Sequence, residues 1–318
     1  MSELAFSGLG LNPITSTPPC VNDIDAVPGG SSSGAAASVA FHLAAAGIGS
    51  DTGGSVRIPA AWNDLVGLKT TIGRLSVEGS VPLNPHFDTI GPLCRSVEDA
   101  LNILGVLEGK KVSDIQEVEF ETLKFMILKT GTFDDIHPKV DKGFNHVVDI
   151  LKENGVSIEI RHIEEVNEVQ EIGFALMSAG SYGTWQKEIE KSPELMFPEI
   201  LNRFRSGKEI LAVDYIYAWR RLRELRVLWM EKTSSFDAVI MPTSQILPPN
   251  LQRLLSDGEY YKRQNLLALK NTRIANLLGL SSLTIPTGFP SVGFMLMAKP
   301  NSEESLLSIG ATIEKMLA

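Results

Sequence analysis

The sequence has too little cysteine for a disulfide framework and too little positive charge for a nucleic-acid surface. Cys20 and Cys94 are the only two cysteines in 318 residues. Neither stands in the paired Cys/His spacing of a zinc site, so both are expected to be reduced thiols in a cytoplasmic protein. Lysine and arginine total 29 against 38 acidic residues, a net charge of −9. The attraction that dominates binding to phosphate backbones is therefore missing, and no nucleic-acid or anionic-membrane partner is expected. Long apolar runs are also absent: the stretch from Val39 to Gly49 is broken by His42 and is far too short to cross a bilayer. The start, "MSELAFSGLGLNP", has no basic region ahead of an apolar run and does not read as a signal peptide. No repeat, low-complexity linker or composition break divides the chain, so residues 1–318 read as a single domain. Self-association is left open.

What is present is an apolar share of 43%, ample for a sizeable core. Residues 35–46 are small and alanine-rich, which favours helix. Residues 96–107, "SVEDALNILGVL", open with Ser96 and Asp99 at capping-box spacing, carry leucines at helical period and stop at Gly109. "LKFMILK" at 123–129 reads as a buried strand, Pro138 to Asn154 as an amphipathic helix, and "VSIEIRH" as a further strand. The pattern from Val166 to Lys232 is helical with breaks, "FDAVIMP" returns to strand, and Tyr260 to Leu278 is helical again. Two apolar strands, "SSLTIP" and "VGFMLMA", and a terminal helix from about Asn301 complete the chain. Strands alternating with helices imply the α/β class, with a mixed, mostly parallel central sheet covered by helices on both faces.

Chemistry concentrates in residues 27–62, "VPGGSSSGAAASVAFHLAAAGIGSDTGGSVRIPAAW". Gly30 to Gly34 matches the G-x-S-x-G nucleophile elbow of α/β-hydrolase esterases, with Ser32 in the nucleophile position. That elbow requires a strand before it, whereas "NDIDAVPG" is polar and broken by Pro28. A phosphate-binding loop is disfavoured too, because no lysine follows as in a P-loop and "GIGSDTGG" has the wrong spacing for a dinucleotide fingerprint. Asp134 to His137 reads as a solvated turn rather than a ligand set, and nothing implies a metal or cofactor.

The motifs "GGSSSG", "GSDTGGSVRIPAAW", "VGLKTTIGRLS" and "FDTIGPLCRSVEDA" follow in order, and this sequence resembles the amidase signature family. The resemblance runs from "ELAFSGLGLNP" to "GLSSLTIPTGF". It implies amide hydrolysis by a Ser–Ser–Lys triad through an acyl-enzyme, with a small-molecule amide as substrate. On this sequence the implied nucleophile is Ser55 and the bridging serine, after a cis peptide from Gly30, is Ser31, 24 positions earlier. A serine hydroxyl needs a neighbour to take its proton, which Ser31 would relay onward to a lysine. Thr52, Gly53, Gly54 and Ser55 would turn successive N–H groups toward one point as an oxyanion hole, at the start of a helix beginning at Ser55. Asp51 and Arg57 are placed by the resemblance in a polar network under the loop; singly they also read as a helix cap and a solvent-facing arginine. Ser32 and Ser33 are expected to satisfy the backbone of the glycine loop, and Lys69 falls on a structural lysine of the family. The segments from about Ser178 to Lys208 and from Ser244 to Tyr261 are candidates to line the substrate pocket.

One departure is plain. The family's catalytic lysine lies several dozen residues ahead of the first serine loop, and here no lysine precedes Lys69. The expectation is an N-terminally shortened amidase, weak or inactive as it stands. A non-catalytic remnant or a substitute base among His42, His86, His137, His146 and His162 are the competing accounts. A glutaminase-type subunit of a tRNA-dependent amidotransferase is the alternative within the family.

Overall fold

The structure is a computed structural model that describes residues 1–111, 114–116 and 118–317. Among these residues eight strands form one sheet. From edge to edge these are β1 (Ala46–Ser50), β3 (Ile90–Cys94), β2 (Val66–Lys69), β7 (Ser281–Pro286), β8 (Gly293–Ala298), β6 (Ala238–Pro242), β4 (Lys124–Leu128) and β5 (Ser157–Arg161). The α/β class and the mixed sheet stand, but the mostly parallel pairing does not. Only β4 runs parallel to its neighbours, β5 and β6, and the other five pairs are antiparallel. The reason is connection length: β7 and β8 are joined by residues 287–292, too few for the crossover that a parallel pair needs. Three short strands, β1, β2 and β3, also escaped the alternation of strand with helix. Their sequences, "AGIGS", "VGLK" and "IGPLC", carry glycine or proline and little β-propensity, and are held as strands by their partners.

Strand alternation builds the core. Phe125 and Ile127 of β4 pack with Ile240, Leu283, Leu296 and Phe294 against α3 (Val97–Glu108), α4 (Pro138–Glu153) and α11 (Glu303–Leu317). Met126 and Leu128 point to the other face, where Val239, Met241, Met295 and Met297 meet α5 (Glu165–Ile189), α7 (Ala212–Thr233) and α10 (Thr272–Leu278). Helices therefore cover both faces. The alanine-rich segment is shorter than its composition suggests: α1 spans Ser33–Ala40, His42 takes φ 58°, and Ala46 already begins β1. Pairing with β3 overrides helix propensity there. The short α2 (Arg57–Trp62) starts two residues later than Ser55. Between α5 and α7 the chain forms α6 (Pro198–Arg205), and α8 (Leu251–Ser256) and α9 (Gly258–Leu269) precede α10. Among the described residues no helix is long and apolar enough to cross a membrane.

Candidate active site

Strand β1 delivers the chain directly into the loop 51–56. The Asp51 N–H donates to the Thr89 carbonyl at 2.8 Å and Thr89 Oγ1 donates to the Asp51 carbonyl at 2.7 Å, which continues the β1–β3 ladder by one residue. Below the loop Asp51 and Arg57 are both fully buried. The guanidinium engages both carboxylate oxygens, Nη2 to Oδ1 at 2.9 Å and Nε to Oδ2 at 3.1 Å. Asn276 Nδ2 donates to Oδ1 at 2.8 Å, and the Val56 N–H donates to Oδ2 at 3.1 Å. Burial alone would raise the Asp51 carboxyl, but the Arg57 charge and these donors hold it down at about 2. Arg57 is thus not solvent-facing: Asp51 takes N–H groups at the start of α2 while its partner locks the loop from beneath.

The loop itself needs glycine at 54. Its φ is 138°, and a Cβ there would overlap Thr272 Oγ1. That same hydroxyl donates to the Gly53 carbonyl at 2.7 Å, while Thr52 Oγ1 donates to Asp88 Oδ1 at 2.5 Å. Side chains thereby hold the loop from both ends. Among the described residues, the N–H groups of Thr52, Gly53, Gly54 and Ser55 donate to no protein acceptor. Ser55 is 4% exposed and lines a narrow opening with Gly53, Phe6 and Met177.

The other serine loop touches this one. The Gly30–Ser31 peptide bond is cis. Ser31 is fully buried, its carbonyl accepts from Ser2 N–H at 3.1 Å, and its Oγ has no hydrogen-bond partner. Ser32 N–H donates to the Ser55 carbonyl at 3.2 Å and so joins the two loops, but the Ser31 and Ser55 hydroxyls are not bonded directly to each other. Ser32 Oγ donates to the Ser50 carbonyl at 3.3 Å, and no strand leads into its loop, so it lacks the elbow that an esterase nucleophile requires. Ser33 does not serve the loop backbone as expected, since its Oγ is buried without a partner. Helix α1 begins at Ser33 and turns that hydroxyl into the packing.

Lys69 at the end of β2 is fully buried and forms no hydrogen bond to either serine hydroxyl. Its Nζ donates to the carbonyls of Thr70 at 2.9 Å and Leu280 at 2.7 Å. Burial and then the Arg57 charge push it down to about 7, against the pull of Asp51 and Glu303. None of the five histidines bonds to Ser31 or Ser55. His86 packs edge-on against Trp219, His137 caps α4 by accepting from Lys139 N–H, and His146 packs on Phe289.

This arrangement and fold can be set beside known proteins. The family model described as Amidase matches residues 1–307. The chain belongs to the amidase family. As an amidase, it is 32% identical over 99% of its length to the 2-amino-5-chloromuconic acid deaminase of Comamonas testosteroni, of which it covers 70%. It is 29% identical over 93% of its length to a glutamyl-tRNA(Gln) amidotransferase subunit of Sulfurisphaera tokodaii, of which it covers 69%. A solved crystal structure described as an amidase superposes with a TM-score of 0.89 at 26% identity, over all of this chain and 73% of that one.

A cleft of about 930 Å³ between α5, α6 and α9 shares Phe6, Met177, Arg203 and Arg273 with the opening at Ser55. Both expected pocket segments contribute, Ser178 to Ser206 from the first and Ser256 to Tyr261 from the second. Sequence reasoning missed Asp88, Thr272 and Asn276, which brace the loop, and Arg203 and Arg273, which border the opening at Ser55. Except for Asp88, they lie far from the serine motifs in sequence. The asparagine and threonine set inside the apolar run "NTRIANLLGL" are the clue to Thr272 and Asn276, and Asp88 falls in the quoted "FDTIGPLCRSVEDA"; no such signal marks Arg203.

Proposed function

We propose that this amidase cleaves amides by acyl transfer through Ser55. Ser55 Oγ attacks the amide carbonyl carbon, and its proton passes by way of Ser31 toward the departing nitrogen. The carbonyl oxygen, negatively charged in the tetrahedral intermediate, is received by the N–H groups of residues 52–55. The C–N bond then breaks, an amine or ammonia leaves with the proton, and water releases the acid from the Ser55 ester.

The observation that carries this reading is the row of four consecutive N–H groups, without a protein acceptor among the described residues, in a loop whose Gly53 and Ser55 line a narrow opening that shares Phe6, Met177, Arg203 and Arg273 with the larger cleft. Preorganised donors of this kind commonly contribute about 3–4 kcal/mol of transition-state stabilisation. The loop's buried ion pair fixes their direction before substrate arrives.

Among the described residues no base is bonded to the end of the relay. Ser31 Oγ has no partner, and Lys69 is committed to two carbonyls. The 318-residue chain is therefore expected to turn over amides slowly, with about 10³–10⁴-fold acceleration over water left to the oxyanion hole and binding.

Labelling with a fluorophosphonate followed by peptide mapping tests the assignment. Modification of Ser55, abolished by Ser55→Ala with the fold intact, supports it. A label on Ser32 would transfer the role to that serine, and a folded protein with no label on any serine would leave a non-catalytic amidase.

A further inference from the structure

We infer that Arg203 and Arg273 form a recognition site for a carboxylate carried by the acyl part of the substrate, so that the preferred substrates are amides that also bear a carboxylate. The inference rests on Ser55 as the attacking residue and adds the class of molecule presented to it.

The opening at Ser55 is bordered by Arg203 from the end of α6 and by Arg273 from the first turn of α10. The same two residues, with Phe6 and Met177, also line the larger cleft, so they stand where the narrow opening joins the wide one. Among the described residues neither guanidinium forms an ion pair. Arg203 gives one N–H to the Phe6 carbonyl at 3.0 Å and lies 4.3 Å from the centre of the Phe6 ring, which fixes its plane. Arg273 donates to no protein atom among the described residues.

Two other enclosed arginines are paired with carboxylates, whereas Arg226, which donates to the Leu277 carbonyl and has no carboxylate partner among the described residues, stands alone and borders neither the opening at Ser55 nor the large cleft. Arg57 is satisfied by Asp51, and Arg74 by Glu108, Glu303 and Glu304. A guanidinium carries five donors and is not deprotonated in proteins. Two of them withdrawn from water near one another repel, and the arrangement is offset only if an anion enters between them. Burial, and for Arg203 the nearby Arg273 charge, push these groups down to about 9 and about 10, so both remain cationic at neutral pH. The planar forks suit a carboxylate, which can accept from both at once. A carboxylate bound here is separated from Ser55 only by the width of the opening, which suits a short acyl chain with an acid at one end and the amide at the other.

The test is calorimetric binding of succinate, succinamide and methyl phosphate to the 318-residue chain. Succinate is expected to bind about tenfold or more tighter than succinamide, the advantage of charge-assisted over neutral hydrogen bonds. Arg203→Gln and Arg273→Gln should each remove most of that advantage, and Arg273→Lys should restore part of it. Raising salt should weaken succinate binding to the unaltered chain and leave succinamide binding unmoved, a readout that holds even if a glutamine variant fails to fold. Equal affinity for succinate and succinamide, or an advantage that survives both glutamine variants, overturns the inference. Tighter binding of methyl phosphate than of succinate overturns the carboxylate assignment. Because binding does not need turnover, a chain that binds succinate in this way yet is not labelled at Ser55 keeps the anion site and rejects the acyl-transfer reading.

Discussion

Asp51 stays ionised in full enclosure because its two oxygens are shared among a guanidinium, an amide and a backbone N–H. Removing the cation leaves a bare buried charge. Arg57→Met is therefore expected to destabilise the protein by about 3–5 kcal/mol, read as a lower urea midpoint. The pH dependence follows from the direction of the shift. The folded carboxyl titrates at about 2, below its ordinary 3.8, so its stabilising contribution is complete above about pH 4 and is lost as pH falls toward 2. Lys69 works in the opposite sense. Its folded pKa of about 7 lies below the ordinary 10.5, so the unfolded chain holds more protons between those values and stability rises with pH across that window. Thermal melts of Lys69→Met should show a flatter rise between about pH 7 and 10 than the parent; an unchanged slope would mean that the amine is not desolvated as described. At Gly54, alanine meets both an unfavourable φ and the Thr272 hydroxyl, so Gly54→Ala should abolish Ser55 labelling even where the protein still melts cooperatively.

At the scale of elements, α3 was the most legible part of the sequence and α1 among the least. In α3 the Ser96 hydroxyl accepts from Asp99 N–H at 3.1 Å, and Gly109 closes the helix at φ 64°, as the capping pattern implied. Ser96→Ala should lower stability by about 1 kcal/mol in urea unfolding, and a change near zero would show that solvent replaces the cap. Local signals of that kind carry their own information. Strands β1, β2 and β3 carry almost none, because glycine and proline are tolerated there only by virtue of neighbours far along the chain. The candidate site divides along the same line. Ser31, residues 51–55 and Arg57 sit in one continuous motif and could be read directly. Asp88, Thr272, Asn276 and the two arginines could not, since their meaning comes from a backbone carbonyl, a carboxylate or an opening that exists only after folding.

Across the whole molecule the sheet interleaves the two ends of the chain. Strand β2, in the first quarter, pairs with β7 through Gly67 and Thr284, Leu68 and Leu283, and Lys69 and Ser282. The strands from the middle of the chain, β4 and β5, lie at one edge. So much pairing across long sequence separation predicts slow folding. It also predicts that a chain ended at residue 250 will be neither cooperatively folded nor labelled at Ser55, because it lacks β7, β8 and α10. Detection of a labelled, protease-resistant product from that shortened chain would contradict this topology.

Asn276, which grips the Asp51 carboxylate under the loop that carries Ser55, has a further implication for synthesis. Ribosomes release Ser55 early, but the amide that steadies its loop emerges more than two hundred codons later. A nascent polypeptide therefore cannot complete the hydrogen-bond network under that loop until translation is nearly finished.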